Sequence, residues 1–133
     1  MTDNLNAEMW ADSQFSKAAG YLSSQNVRYT GVITLAWLAA PYIALWRAKA
    51  PDDTLHDVWV ICGQMPTDVL AEPEITGPRA ALRGFGTRWQ SVAAEHVPDK
   101  GGPESGKNPK ALERQARMLL NIADDESLWP DDL

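Results

Sequence analysis

The chain has 133 residues, a formal net charge of −6 and a pI near 4.8. A domain of this length buries well over half of its unfolded surface, so it needs neither disulfides nor a structural metal to fold. The acidic balance repels phosphate backbones and argues against general nucleic-acid binding, while favouring solubility and a basic protein partner. One cysteine, Cys62, excludes an internal disulfide and suits a reducing cytosol.

The N-terminus carries Asp3 and Glu8 where a secretory signal would be basic and then apolar. Residues 6 to 25 read as a first helix, with Asn6 as its N-cap. Trp10, Phe15, Ala18, Ala19 and Leu22 share one broad side at helical spacing. Gly31 marks a break. Residues 32 to 40 are apolar and stay open between strand and helix. Val32, Ile33 and Thr34 suit a strand, whereas Leu35, Leu38 and Ala39 allow a short helix. The apolar stretch from Val32 to Trp46 is too short to cross a bilayer and is interrupted by Pro41, so it reads as core.

Residues 42 to 49 read as a strand that turns polar at Arg47 and Lys49. Residues 50 to 57 are rich in turn formers, and residues 58 to 63, Val-Trp-Val-Ile-Cys-Gly, read as a second strand. That second strand is apolar on both faces, so both must be covered. The two strands are expected to pair as an antiparallel hairpin, with Trp46 and Trp59 meeting across it if the register allows. Residues 69 to 76 add a short extended edge piece. Thr76 is the expected N-cap of a long helix to about residue 95, whose stripe is Leu82, Phe85, Trp89 and Val92. Gly84 and Gly86 weaken that helix and permit a close neighbour. Residues 98 to 108 read as a flexible linker. Asn108 and Pro109 then start a last helix with a stripe of Leu112, Ala116, Leu119 and Ala123, followed by an acidic tail around Leu128-Trp129.

The expected organisation is therefore an α+β core domain over 1–97, a linker over 98–108, and a C-terminal helix and acidic tail over 109–133. That helix packs on the core or on a partner subunit. The fold class is α+β: a small antiparallel hairpin sheet of two or three strands, packed with three to four helices. A sheet so small rarely stands alone, which makes a homodimer an expectation.

Few residues in this chain carry chemistry in a recognisable pattern. Gly101, Gly106 and Lys107 have P-loop spacing, but Asn108 replaces the Ser or Thr, and no buried strand precedes them. His56 and His96 lack metal-ligand spacing, so no metal or cofactor is expected. No serine sits in a nucleophile elbow, and no catalytic residue is assigned. Thr67 and Asp68 present two oxygens beyond a strand end, either as turn caps or as ligand-binding groups. Arg79 and Arg83 stand one turn apart, either as surface ion-pair partners or as an anion clamp. Leu128 and Trp129 are candidate partner-binding residues, unless they fold back on their own core. Two functions follow. The first is a non-enzymatic protein–protein interaction module of a bacterial cytosolic protein, with no nucleic-acid or membrane partner. The alternative is a small enzyme or anionic-ligand-binding domain using Asp68 with Arg79 and Arg83.

Leu45-Trp46-Arg47-Ala48-Lys49, then Val58-Trp59-Val60-Ile61 leading to Gly63 and Pro66-Thr67-Asp68, and finally Arg88-Trp89, resemble an uncharacterised family of short bacterial proteins, the domain of unknown function DUF4826. The resemblance runs from Met9 to about Val97. It implies a shared fold and a bacterial source, and it carries no catalytic role. The linker and last helix read as an extension beyond it.

Overall fold

The computed structural model describes residues 2–39, 42–52, 56–95 and 109–129. Among the described residues, three helices and a four-stranded antiparallel sheet make the fold α+β. In chain order these are α1 (Thr2–Ser24), β1 (Ile33–Ala39), β2 (Ile43–Ala48), β3 (Val58–Gly63), β4 (Asp68–Leu70), α2 (Pro78–Glu95) and α3 (Pro109–Asp124), with a single 3-10 turn at Glu126–Leu128. The chain gathers into two compact units, Met1–Pro73 and Glu74–Leu133. The linker over 98–108, with its P-loop-like spacing, and His96 lie outside the described residues.

The first unit holds α1 and the sheet, in strand order β1-β2-β3-β4. Its first helix begins at Thr2, so Asn6 lies inside it and is not its N-cap. The helix ends where Asn26 adopts a left-handed φ of 56°. The Val27 N–H then donates to the Leu22 carbonyl at 3.1 Å, and the Asn26 N–H to Ser23 at 3.1 Å. These two bonds are a Schellman C-cap, which satisfies carbonyls that the helix end leaves open.

Gly31, at φ 93°, leads into β1, and pairing with β2 makes the ambiguous stretch a strand over Ile33–Ala39. The β-branched Val32, Ile33 and Thr34 and the aromatic Trp37 suit a pleated, half-buried surface. A bulge between Leu35 and Trp37 interrupts the β1–β2 register. The sheet is thus wider than the two or three strands expected.

β2 and β3 pair antiparallel as expected, but Trp46 lies opposite Val60 and Trp59 opposite Arg47. One register step places the two indoles on opposite faces, so they do not meet, because side chains alternate with a period of two. Trp46 joins Ala44, Ala48, Val58, Val60 and Cys62 on the face that α1 covers with Ala18 and Leu22. Phe15 meets Trp46 edge-on at 5.6 Å. The opposite face carries Ile43, Leu45, Trp59 and Ile61, all buried. Both faces of β3 are therefore out of water, as its apolar run requires.

The second unit is an α2–α3 helix pair. Gly77, not Thr76, precedes the first helical residue: the Ala81 N–H closes on the Gly77 carbonyl at 3.0 Å, and Pro78 takes the first helical position. A proline needs no N–H there and has a preset φ. Leu82, Phe85 and Trp89 on α2 and Leu112, Ala116, Leu119 and Ala123 on α3 are buried. A Cβ on Gly86 would lie 2.8 Å from Leu120 Cγ and 3.1 Å from the Ala116 carbonyl oxygen. The bare α-carbon is what permits this helix–helix approach.

Candidate functional site

Gly63 ends β3 with φ 135°, where a Cβ would collide with the Tyr42 carbonyl and lie 3.1 Å from Ile43 Cα. The chain turns away there, with the Gln64 N–H bonded to the Tyr42 oxygen at 2.9 Å. The turn feeds Thr67 and Asp68 inward. Each is only 1% exposed. Asp68 Oδ1 accepts the Val69 N–H at 2.9 Å, and Asp68 lies opposite Ile61 in the sheet. Thr67 Oγ1 is buried without a hydrogen-bond partner among the described residues. Both side chains thus sit within the fold, and neither presents an open oxygen to solvent.

Arg79 and Arg83 converge, but on protein. Arg79 Nε donates to the Ala123 carbonyl. Arg83 reaches the same oxygen at 3.5 Å and Asp124 Oδ1 at 3.0 Å. Ala123 and Asp124 end α3, where carbonyls lack helical partners and the helix dipole is negative. Two guanidinium groups from α2 therefore cap the C-terminus of α3. An anion at this point would have to displace that arrangement.

Leu128 and Trp129 separate in role. Asp125 caps the 3-10 turn by accepting the Ser127 N–H at 3.1 Å and the Ser127 hydroxyl at 2.6 Å. The turn carries Trp129 back onto α3, where it is buried and its indole N–H donates to the Ile122 carbonyl at 3.0 Å. Leu128 stays 44% exposed. With Met118 and Ile122 it forms the apolar floor of a shallow groove of about 390 Å³, rimmed by Arg114, Arg117 and Asp125. Met118 and Ile122 stand one turn apart on the flank of α3 beside its buried stripe, which widens the apolar surface of the helix. Arg117 is held by Glu113 one turn back, at 3.0 Å.

Two further arrangements belong to the sheet and its β2–β3 loop. Arg47 lies over the Trp59 ring at 5.0 Å, and its Nε bonds Asp57 Oδ2 at 2.8 Å. The other Asp57 oxygen accepts the Ala50 N–H at 2.8 Å, so one carboxylate ties both ends of the β2–β3 loop. The Ala50 N–H bond foremost, then Arg47, hold the Asp57 carboxyl below its ordinary value against the opposing effect of burial. The second is the Cys62 thiol, fully buried and 3.7 Å from the Gln14 carbonyl to which it donates. Burial pushes its pKa up to about 11, although the Trp46 indole and the Lys17 charge pull the other way. At neutral pH it is therefore no thiolate nucleophile.

Among the described residues no three His, Cys, Asp or Glu side chains gather into a metal-ligating set. No described helix is long and apolar enough to cross a membrane.

These features define a small α+β domain with an open antiparallel sheet, a helix pair and a surface groove. The family model of the domain of unknown function DUF4826 matches residues 4–129, and the chain belongs to that family. The match runs through α3, so the last helix is part of the family domain and no extension of it. No curated protein and no solved structure matches the chain.

Proposed function

We propose that this chain is a non-enzymatic protein–protein interaction module of the bacterial cytosol, and that it receives its partner in the α3 groove. The supporting observation is the apolar floor of Met118, Ile122 and Leu128 inside a charged rim on an otherwise polar helix face. An apolar centre with a polar rim is the usual anatomy of a transient interface. The partner offers a short apolar helix or loop to this floor. Its net charge is positive, because a surface of charge −6 attracts cations at long range. The groove is small, so the complex is weak and transient.

The test is site-specific photo-crosslinking in a native bacterial host, with the probe at Leu128 or at the exposed Thr87 of α2. The expected result is one discrete basic partner captured from Leu128 and not from Thr87. Ile122→Asp should weaken the purified complex about tenfold or more, since a buried charge in the centre of an interface removes its principal contact. Equal capture from both positions, or an unchanged affinity in the variant, would show that the groove is not the binding surface.

A further inference from the structure

We propose that the outer edge of β1 pairs antiparallel with the same edge of a second copy of this chain, joining two sheets into one. The sheet has two edges, and they are built differently. β4 is three residues long, lies between Pro66 and Pro73 in sequence, and buries Asp68 and Leu70. Short length and flanking prolines are the devices by which proteins blunt an edge. β1 has seven residues, no proline and no charged side chain, and no described strand pairs with its outer side. Its one guard is the bulge after Leu35, and the residues before that bulge carry none of the charges that ordinarily protect such an edge.

Charge identifies the occupant. Two copies each bearing −6 repel, so they tolerate contact only where charged side chains are missing. Residues 29 to 46, which contain β1, are the longest run in the chain without Asp, Glu, Lys or Arg. A two-fold antiparallel pair places each residue of the strand opposite a residue of the same strand, and any charge on it would risk meeting its like. β1 meets this condition, and a basic partner would find no carboxylate there. The exposed side chains at this edge are Thr34 and Leu35, at 39%, with Val32, at 52%, just before the strand. The bulge after Leu35 bends the strand, so the pairing runs over residues 32–35 and the dimer is weak, with a Kd of order 10 µM.

This proposal is independent of the groove, and one experiment separates the two. Sedimentation velocity on the full chain should show reversible dimerisation in the micromolar range. Thr34→Lys and Leu35→Lys should each raise the dimer Kd at least tenfold, while Leu128→Asp leaves it unchanged. Thr34 is exposed, so its lysine variant folds even if Leu35→Lys does not. As a second readout, cysteines introduced singly from Val32 to Leu35 should form a covalent dimer near the two-fold axis, since Cys62 is buried and does not compete. A chain that stays monomeric at about 100 µM, far above that Kd, would overturn the proposal. So would a dimer that survives both lysine variants, or one that Leu128→Asp dissociates.

Discussion

Asp57 illustrates how much one side chain organises in this chain. Its carboxylate reaches the Ala50 N–H and the Arg47 guanidinium, which in turn covers Trp59. Its pKa in the folded protein is depressed, so the charged form is the stabilising one. The stability it contributes is present above the unfolded carboxylate range and is lost as pH falls through the lower folded value. Asp57→Asn should therefore cost about 1 kcal/mol near neutral pH and progressively less below about pH 4, measured by urea unfolding at each pH. A cost that stays constant with pH would show that shape, not charge, is what matters at this position. Gly63 is subject to a harder constraint. Its φ of 135° is open to glycine, and the Tyr42 carbonyl occupies the space a side chain would need. Gly63→Ala should lower stability by at least about 2 kcal/mol in denaturant titrations, because conformational strain and a backbone collision act together.

The same contrast between local and tertiary causes holds for whole elements. α2 was legible because its apolar residues recur at helical spacing, and β3 because a short run apolar on both faces and bounded by turn formers suits a buried strand. β1 was not, since a short apolar run fits both periods and only pairing with β2 settles it. The register of β2 on β3 was equally hidden. It depends on how the loop over residues 49–57 closes, and a step of one residue moves Trp59 to the face opposite Trp46. The start of α2 was missed by one residue because Thr76 is the better capping side chain, yet Pro78 sets where helical φ begins. Gly86 was foreseen as a place of close approach, and Leu120 of α3 fills the space. Gly86→Ala pits better helix propensity, worth about 1 kcal/mol, against collision with Leu120 Cγ and Cδ2 and close approach to the Ala116 oxygen. The backbone oxygen cannot yield, so the net effect should be a loss of about 1–2 kcal/mol, read from the thermal midpoint. Relief by Leu120→Ala in the same background should be partial, since it removes the two closest contacts but leaves the 3.1 Å approach to the Ala116 oxygen.

For the molecule as a whole, net charge connects the two proposed contacts and makes them respond oppositely to salt. The candidate residues split once the chain is folded. Arg79 and Arg83 close the end of α3, Trp129 returns to its own helix, and Leu128 alone of the tail pair faces outward. No linear reading places Leu128 beside Met118 and Ile122, because that requires the 3-10 turn at Glu126–Leu128 to reverse the chain. Long-range attraction between a surface of −6 and a basic partner is screened by salt, with a Debye length of about 10 Å at 0.1 M. Raising ionic strength from about 0.05 to 0.5 M should therefore slow capture of the partner in the groove. The β1 pair works the other way. It has no attractive charges to screen, but two acidic bodies repel as they approach, so the same salt should strengthen the dimer by several-fold. Titrating one sample across that range, with sedimentation reporting the dimer and crosslinking yield at Leu128 reporting the partner, measures both at once. Curves that fall together would mean that the dimer contact is electrostatic, and an uncharged strand such as Ile33–Ala39 would then be excluded as its seat.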